Sequence, residues 1–328
     1  MKKLLLLAAC FIVAGRCGFA EEEESCVFDF GTEISNIKYE EPGVMKEEGV
    51  MYGIAASYTY RNAYMLRADG RYASGQVDYK NSGTLNDIDD YILELRGLVG
   101  YDLSKNKTKT FTPYAGFGYR YLLDDQGGMT TSTGAKGYDR ESNYFYSPIG
   151  IETTNSFNNG WTMGATLEYD YFWKGKQKSY LSDARLYDPI TGYYTYNDIE
   201  NSQDSGYGVR GSMKLEKKGK KLDFGVEPYI RYWKIKQSDV TADSVISEDG
   251  LWLITSAFVE PKNESTEVGV RFTLRFDIPQ VSERIDSRME PADTKNGVGA
   301  SNTLETFREK GYITEEEYET SKESIGEQ

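Results

Sequence analysis

Trp161-Thr162-Met163-Gly164-Ala165-Thr166-Leu167-Glu168-Tyr169-Asp170-Tyr171-Phe172-Trp173 decides the fold. Read as an extended chain, it sets Trp161, Met163, Ala165, Leu167, Tyr169, Tyr171 and Trp173 on one side. Thr162, Gly164, Thr166, Glu168 and Asp170 fall on the other. A strand of a soluble domain averages about 5–6 residues. A strand that crosses a bilayer needs about 9–11, with an apolar outer face, aromatic residues at both ends and a polar inner face. The stretch meets the second description.

The same split recurs on both sides of it. Residues 50–60 place Val50, Tyr52, Ile54, Tyr58 and Tyr60 opposite Met51, Gly53, Ala55 and Ser57. Further along, Tyr64, Leu66 and Tyr72 oppose Arg67, Asp69 and Arg71, and Leu93, Leu95 and Val99 oppose Glu94 and Arg96. Phe117, Tyr119 and Tyr121 oppose Gly116, Gly118 and Arg120. Toward the end, Val209 and Met213 oppose Arg210, Val226 and Ile230 oppose Glu227 and Arg231, and Val268, Val270, Phe272, Leu274 and Phe276 oppose Arg271 and Arg275. Residues 28–40 and 144–153 are strand-like with less regular alternation. A soluble β-sandwich also alternates, but its strands are short and its aromatics lie in the core. The expectation is therefore all-β: a transmembrane antiparallel up-and-down barrel with a small C-terminal α-hairpin. Connections around 61–62, 104–109, 155–160 and 217–220 are short and alternate with longer ones at 81–90, 124–141, 174–204 and 236–264. That alternation, with an ascending strand at 28–40, gives about ten strands, twelve being the alternative. Residues 251–259 read as an extension of the wall above the membrane.

Composition narrows the chemistry. The 328 residues carry no histidine, a formal net charge of −14, 27 Tyr and 33 Gly. Histidine-based catalysis and metal binding are excluded, and the acidic balance argues against a nucleic-acid partner. No phosphate-cradling glycine loop, zinc spacing or calcium loop is present, so neither cofactor nor metal is expected.

Residues 1–20 read as a signal peptide: Lys2 and Lys3, an apolar run from Leu4 to Gly15, then Gly18-Phe19-Ala20 before Glu21. Leu7-Ala8-Ala9-Cys10 resembles a lipobox, but cleavage there would leave half of the apolar run on the exported chain. The expected organisation is a barrel over 21–278, a periplasmic linker over 279–300 and a helical hairpin over 301–328.

These features together resemble Gram-negative outer-membrane β-barrel proteins. Gly269, Phe272, Leu274 and Phe276 in the last strand resemble the signal read in that family by the barrel assembly machinery. The resemblance implies outer-membrane lipids and that machinery as partners. At about ten strands the chain is similar in size to the omptin proteases. Their mechanism, like those of the small-barrel lipid deacylase and phospholipase, rests on histidine, which this chain lacks. Leu304, Phe307, Gly311, Ile313 and Tyr318 resemble the short helical hairpin known as SHOCT, with Gly311 as a helix stop and Thr314 with Glu317 as a capping box. That resemblance implies association, through a homo-oligomer or a periplasmic partner.

Three functions remain open. The charges Arg67, Asp69, Arg71, Glu94, Arg96, Arg120, Glu168, Asp170, Arg210, Glu227, Arg231, Arg271 and Arg275 are expected to fill the lumen as a paired network. The protein is then a non-enzymatic structural or surface-interacting barrel. If the lumen conducts, the excess of arginine among these positions favours anions, which makes the second reading a narrow porin-like channel. A hydrolase using only Glu168 and Asp170 is the third. The tyrosine-rich 174–204 segment reads equally as a recognition loop or as more barrel wall.

Overall fold

The computed structural model describes residues 25–103 and 108–278, together with Arg308, Thr314, Glu315 and Tyr318. Fifteen strands are present: β1 (Ser25–Glu41), β2 (Met45–Arg61), β3 (Tyr64–Asn81), β4 (Gly83–Tyr101), β5 (Lys109–Asp125), β6 (Arg140–Ser156), β7 (Trp161–Ser179), β8 (Leu186–Asp188), β9 (Gly192–Tyr194), β10 (Ile199–Gln203), β11 (Gly206–Lys217), β12 (Asp223–Ile235), β13 (Val240–Ile246), β14 (Leu253–Val259) and β15 (Asn263–Ile278). Ten of them, β1 to β7 with β11, β12 and β15, make an antiparallel wall that closes where β1 pairs with β15 and β6 with β7. Closure removes every sheet edge from that wall, which a bilayer demands.

The period-two pattern is realised as an exposed apolar belt. Phe28, Ile34, Tyr52, Ile54, Leu66, Val99, Phe117, Leu167, Trp173, Met213, Ile230 and Val268 all point outward. Aromatic residues edge it, Tyr64 against Tyr101 at the short-turn end and Tyr171 against Trp173 at the other. Such a belt belongs against lipid.

The wall strands run on well beyond the belt, most of them to 16–19 residues. Residues 81–90, expected as a loop, are instead part of the β3–β4 hairpin, which turns at Ser82 and Gly83 with Gly83 at φ +92°. Inward packing of Ile88 and Leu85 holds that polar segment in the wall. Residues 174–179 likewise continue β7, and β10 adds to its edge. Residues 251–259 extend the wall above the belt, as expected: β14 pairs with β13, and the Ser238 amide donates to the Glu260 carbonyl in the register that already joins β12 to β15.

The signal peptide, the linker and most of the C-terminal hairpin, with Leu304, Phe307, Gly311 and Ile313, lie outside the described residues. Residues 280–328 form a separate unit. In it the Arg308 guanidinium lies 4.4 Å from the Tyr318 ring. The assembly-signal positions Gly269, Phe272, Leu274 and Phe276 all sit in β15, and Tyr229 packs over Gly269, where a Cβ would lie 2.7 Å from its ring.

Candidate functional site

The barrel lumen holds the chemistry. Because alternate residues of every wall strand face inward, charges placed two apart in sequence stack along the axis. Strand register then sets many of the pairs: Asp29 opposite Arg275, Glu33 opposite Arg271, Asp69 opposite Arg96, Arg71 opposite Glu94, Glu168 opposite Arg210, and Arg231 opposite Glu267.

Other pairs join strands that are not neighbours. Arg71 reaches Glu267 at 2.7 Å and Glu33 at 2.8 Å. Arg210 spans to Glu94 at 2.5 Å while its Nε donates to Asp170 at 2.6 Å. Arg96 bonds Asp69 and Glu168, and Arg67 and Arg61 both reach Glu152. Tyrosines complete the carboxylates: Tyr114 donates to Glu168 at 2.7 Å and Tyr146 to Glu94 at 2.6 Å. These bonds cross the lumen and occupy much of it.

The thirteen charges named from sequence all face this interior. Arg120 stands apart from the pairing: its guanidinium lies 5.3 Å from the Trp233 ring, and its buried Nη1 has no hydrogen-bond partner among the described residues. Glu227 accepts from Ser212 and lies 3.8 Å from Arg271. The sequence reading missed Asp29, Glu33, Arg61, Glu152, Glu216 and Glu267 as members. Glu33 and Glu152 come from the two stretches with the weakest alternation, and only their partners' excess charge signals them. Their presence shrinks the expected surplus of arginine: the residues lining the cavity include eight basic side chains against seven carboxylates, which leaves little charge excess to favour anions.

The network is not uniformly dry. A cavity of about 190 Å³ lies in the lower lumen, lined by Asp29, Arg67, Arg96, Glu152, Lys214 and Arg275 among others. Side-chain exposure rises from 1% at Glu33 and 5% at Arg71 to 28% at Arg275 near the short-turn end. The cavity therefore opens toward the short turns.

Toward the long loops it is shut by apolar packing. Ile37, Met51, Ala73, Val77, Ile88 and Ile92 form one buried cluster, and Tyr144, Tyr146, Phe172, Trp233 and Ile235 another. Leu122 packs against both, so the two join into a plug across the lumen. Gly118 makes room for it: a Cβ there would lie 2.2 Å from the Tyr146 ring. Nothing in the sequence reading named this plug.

Above the plug Arg140 is shared by two carboxylates, at 2.5 Å from Glu260 and in contact with Glu41, while the Tyr39 hydroxyl reaches both. Burial pushes the loop residue Glu260 up to about 7, Arg140 opposing and Glu41 reinforcing it. Higher still, Tyr196 packs edge-on against Phe258, whereas Tyr187 and Tyr193 meet at a tilt in solvent. The 174–204 segment is thus wall at both ends, in β7 and β10, with an exposed tip between them around Tyr187 and Tyr193. Among the described residues, no group of three or more potential metal ligands is assembled.

Neither a family model nor a curated protein matches the sequence. Solved structures do. The outer membrane protease OmpT from Escherichia coli superposes with a TM-score of 0.50 at 13% identity, over 80% of this chain and 99% of that one. The translocator domain of the autotransporter NalP from Neisseria meningitidis gives 0.33 at 13% identity, over 76% and 88% of the two chains. The Pseudomonas putida toluene transporter TodX gives 0.33 at 9%, over 77% and 89%. The OmpT likeness establishes the architecture: this is an outer-membrane type of ten-stranded barrel.

Proposed function

We propose that the protein is a non-enzymatic barrel of the Gram-negative outer membrane whose lumen is a closed structural core and whose function lies in its exposed loops. The observation that carries this reading is the apolar plug between Ile37, Met51, Val77, Ile88, Leu122 and Trp233, above a lumen already crossed by ion pairs. A conducting pore needs a continuous wetted path, and a layer of fully buried Ile, Met and Trp side chains resists wetting. The carboxylate-only hydrolase loses support for a related reason. Asp170 has no exposed surface and bonds Arg210, and Glu168 is held by Arg96, Arg210 and Tyr114. Asp170 is withheld from the cavity, Glu168 borders it only while tied to two arginines and a tyrosine, and no histidine is available in their place.

Planar-bilayer conductance of the refolded protein, with heat-modifiable gel migration as the sign of an intact barrel, tests the proposal. Electrical silence is expected. Replacing Trp233, Ile88 and Met51 together by alanine should open the plug and give measurable steps. Reproducible steps from the unmodified barrel would replace this reading with a narrow channel.

A further inference from the structure

The loop that joins β12 to β15 carries a surface unlike the rest of the molecule. In the β13–β14 hairpin, alternate residues divide two faces. Val245, Ile254 and Phe258 pack on Leu181, Tyr196 and Ile199, and Asn201 of β10 bonds Thr241 and the Phe258 carbonyl. Ile199, Asn201 and Gln203 are buried and pair with Ser179, Gln177 and Gly175 of β7. β13 runs beside β10, the Asp239 amide donating to the Ser202 carbonyl and the Thr241 hydroxyl to the Glu200 carbonyl in continuation of the β11–β12 register, so the hairpin extends the wall and its other face points outward, away from the axis.

That outer face is made of Val240, Ala242, Ser244 and Ile246 on one strand and Val259, Ala257, Thr255 and Leu253 on the other, paired in that order. All eight are exposed, Leu253 at 72% and Val240 at 65%, and none is ionisable. In a chain with a formal net charge of −14 this is an anomaly. Exposed flat apolar strands are normally interrupted by charge unless something covers them.

We propose that a second copy of this chain covers the face, the two barrels standing side by side in one membrane. Copies inserted in a bilayer share one polarity, so a sideways face meets itself by a two-fold rotation about the membrane normal. Acidic copies repel each other, and an uncharged strip is where that repulsion is smallest. Lipid is a poorer occupant, because the face sits beyond the charged Lys234–Glu264 pair that ends the belt on β12 and β15. At ~3.3 Å per residue and ~4.8 Å between strands the hairpin offers on the order of 200–300 Å², short of the roughly 800 Å² per partner of a standard interface. The same meridian continues downward into a shallow outer groove bordered by Ile34, Val50, Pro228, Ile230, Val268 and Val270, which extends the contact within the belt. This inference is independent of whether the lumen conducts.

Photobleaching step counts of dye-labelled full-length protein in phospholipid vesicles, at a series of protein densities, read the association directly. Two-step particles that accumulate with density are expected. Ala257→Glu and, separately, Ile246→Glu should shift the dimer midpoint at least tenfold, with heat-modifiable migration unchanged because both side chains are exposed. Single-step particles at every density would overturn the proposal, as would dimers insensitive to both variants. A photo-crosslinker at position 257 that joins a different protein in intact cells, with no doubled mass, would give the face to another partner and also overturn it.

Discussion

The belt and the extension above it are built from the same strands with opposite polarity. In β1, Phe28, Phe30 and Ile34 face out while Asp29 and Glu33 face in; farther along the strand Lys38 and Glu40 turn outward and Ile37 is buried. In β4, Leu93, Leu95 and Val99 lie outside with Glu94 and Arg96 inside, but at the far end Asp89 is outside and Ile88 and Ile92 are buried. β7 turns from outward Leu167 and Trp173 to outward Lys174 and Lys176 over buried Phe172, and β12 from outward Ile230 to outward Lys234 beside buried Trp233. Apart from bulges at Trp173 of β7 and near Val77 of β3, the pleat runs on unchanged; what changes is the solvent. Against lipid the wall is apolar outside and charged inside, and above lipid it reverts to the apolar-inside rule of a water-soluble protein. The plug is the core of that water-soluble half.

The sharpest break of the contrast is a charge removed from the belt interior. Glu267 accepts from Arg71, Arg231, Ser35 and Tyr229, so Glu267→Ala leaves two buried guanidinium groups to share Glu33 and is expected to cost about 3–5 kcal/mol. Urea titration of the refolded protein measures it. Truncation in the plug should be comparable but of different origin: Trp233→Ala leaves a cavity and a cost of about 3–5 kcal/mol, and it alone should also raise leak conductance.

The outer surface gives a paired comparison. Ile54→Arg, in the belt, is expected to destabilise the barrel by about 2–4 kcal/mol in a bilayer. Gln76→Arg on the neighbouring strand, above the belt and beside Asp89, should stay within about 0.5 kcal/mol of the parent. Equal costs at the two positions would abolish the boundary drawn between the regions.

The last effect is one of pH. Glu260 titrates near 7 in the folded protein, above the ordinary ~4.3 of a glutamate. A proton is therefore taken up on folding between those values. Stability from this group is greatest at low pH, declines as pH rises to about 7 and is level beyond. Urea midpoints at pH 5 and pH 8 should differ in that direction, and Glu260→Gln should reduce the difference.

The legible part of the fold was the belt, because there outward apolar residues alternate with inward polar or small ones through runs such as 161–171. Glu33 and Glu152 were hidden in strands whose small inward residues, Gly31, Ser35 and Thr154, blur the alternation. The plug was hidden for a different reason. Ile37, Met51, Val77 and Ile88 sit among charged neighbours in segments that read as the ends of strands or as loops, and a period of two does not tell which face is inside.

The sequence by itself determined the strand period, the apolar outer face, the absence of histidine chemistry and most of the interior arginines, because each is a property of residues near one another in the chain. Tertiary structure alone decided the rest. Which arginine meets which carboxylate, where the polarity reverses and whether the lumen is shut all depend on groups more than a hundred residues apart. Arg71 with Glu267 and Arg210 with Glu94 meet only once the barrel has closed.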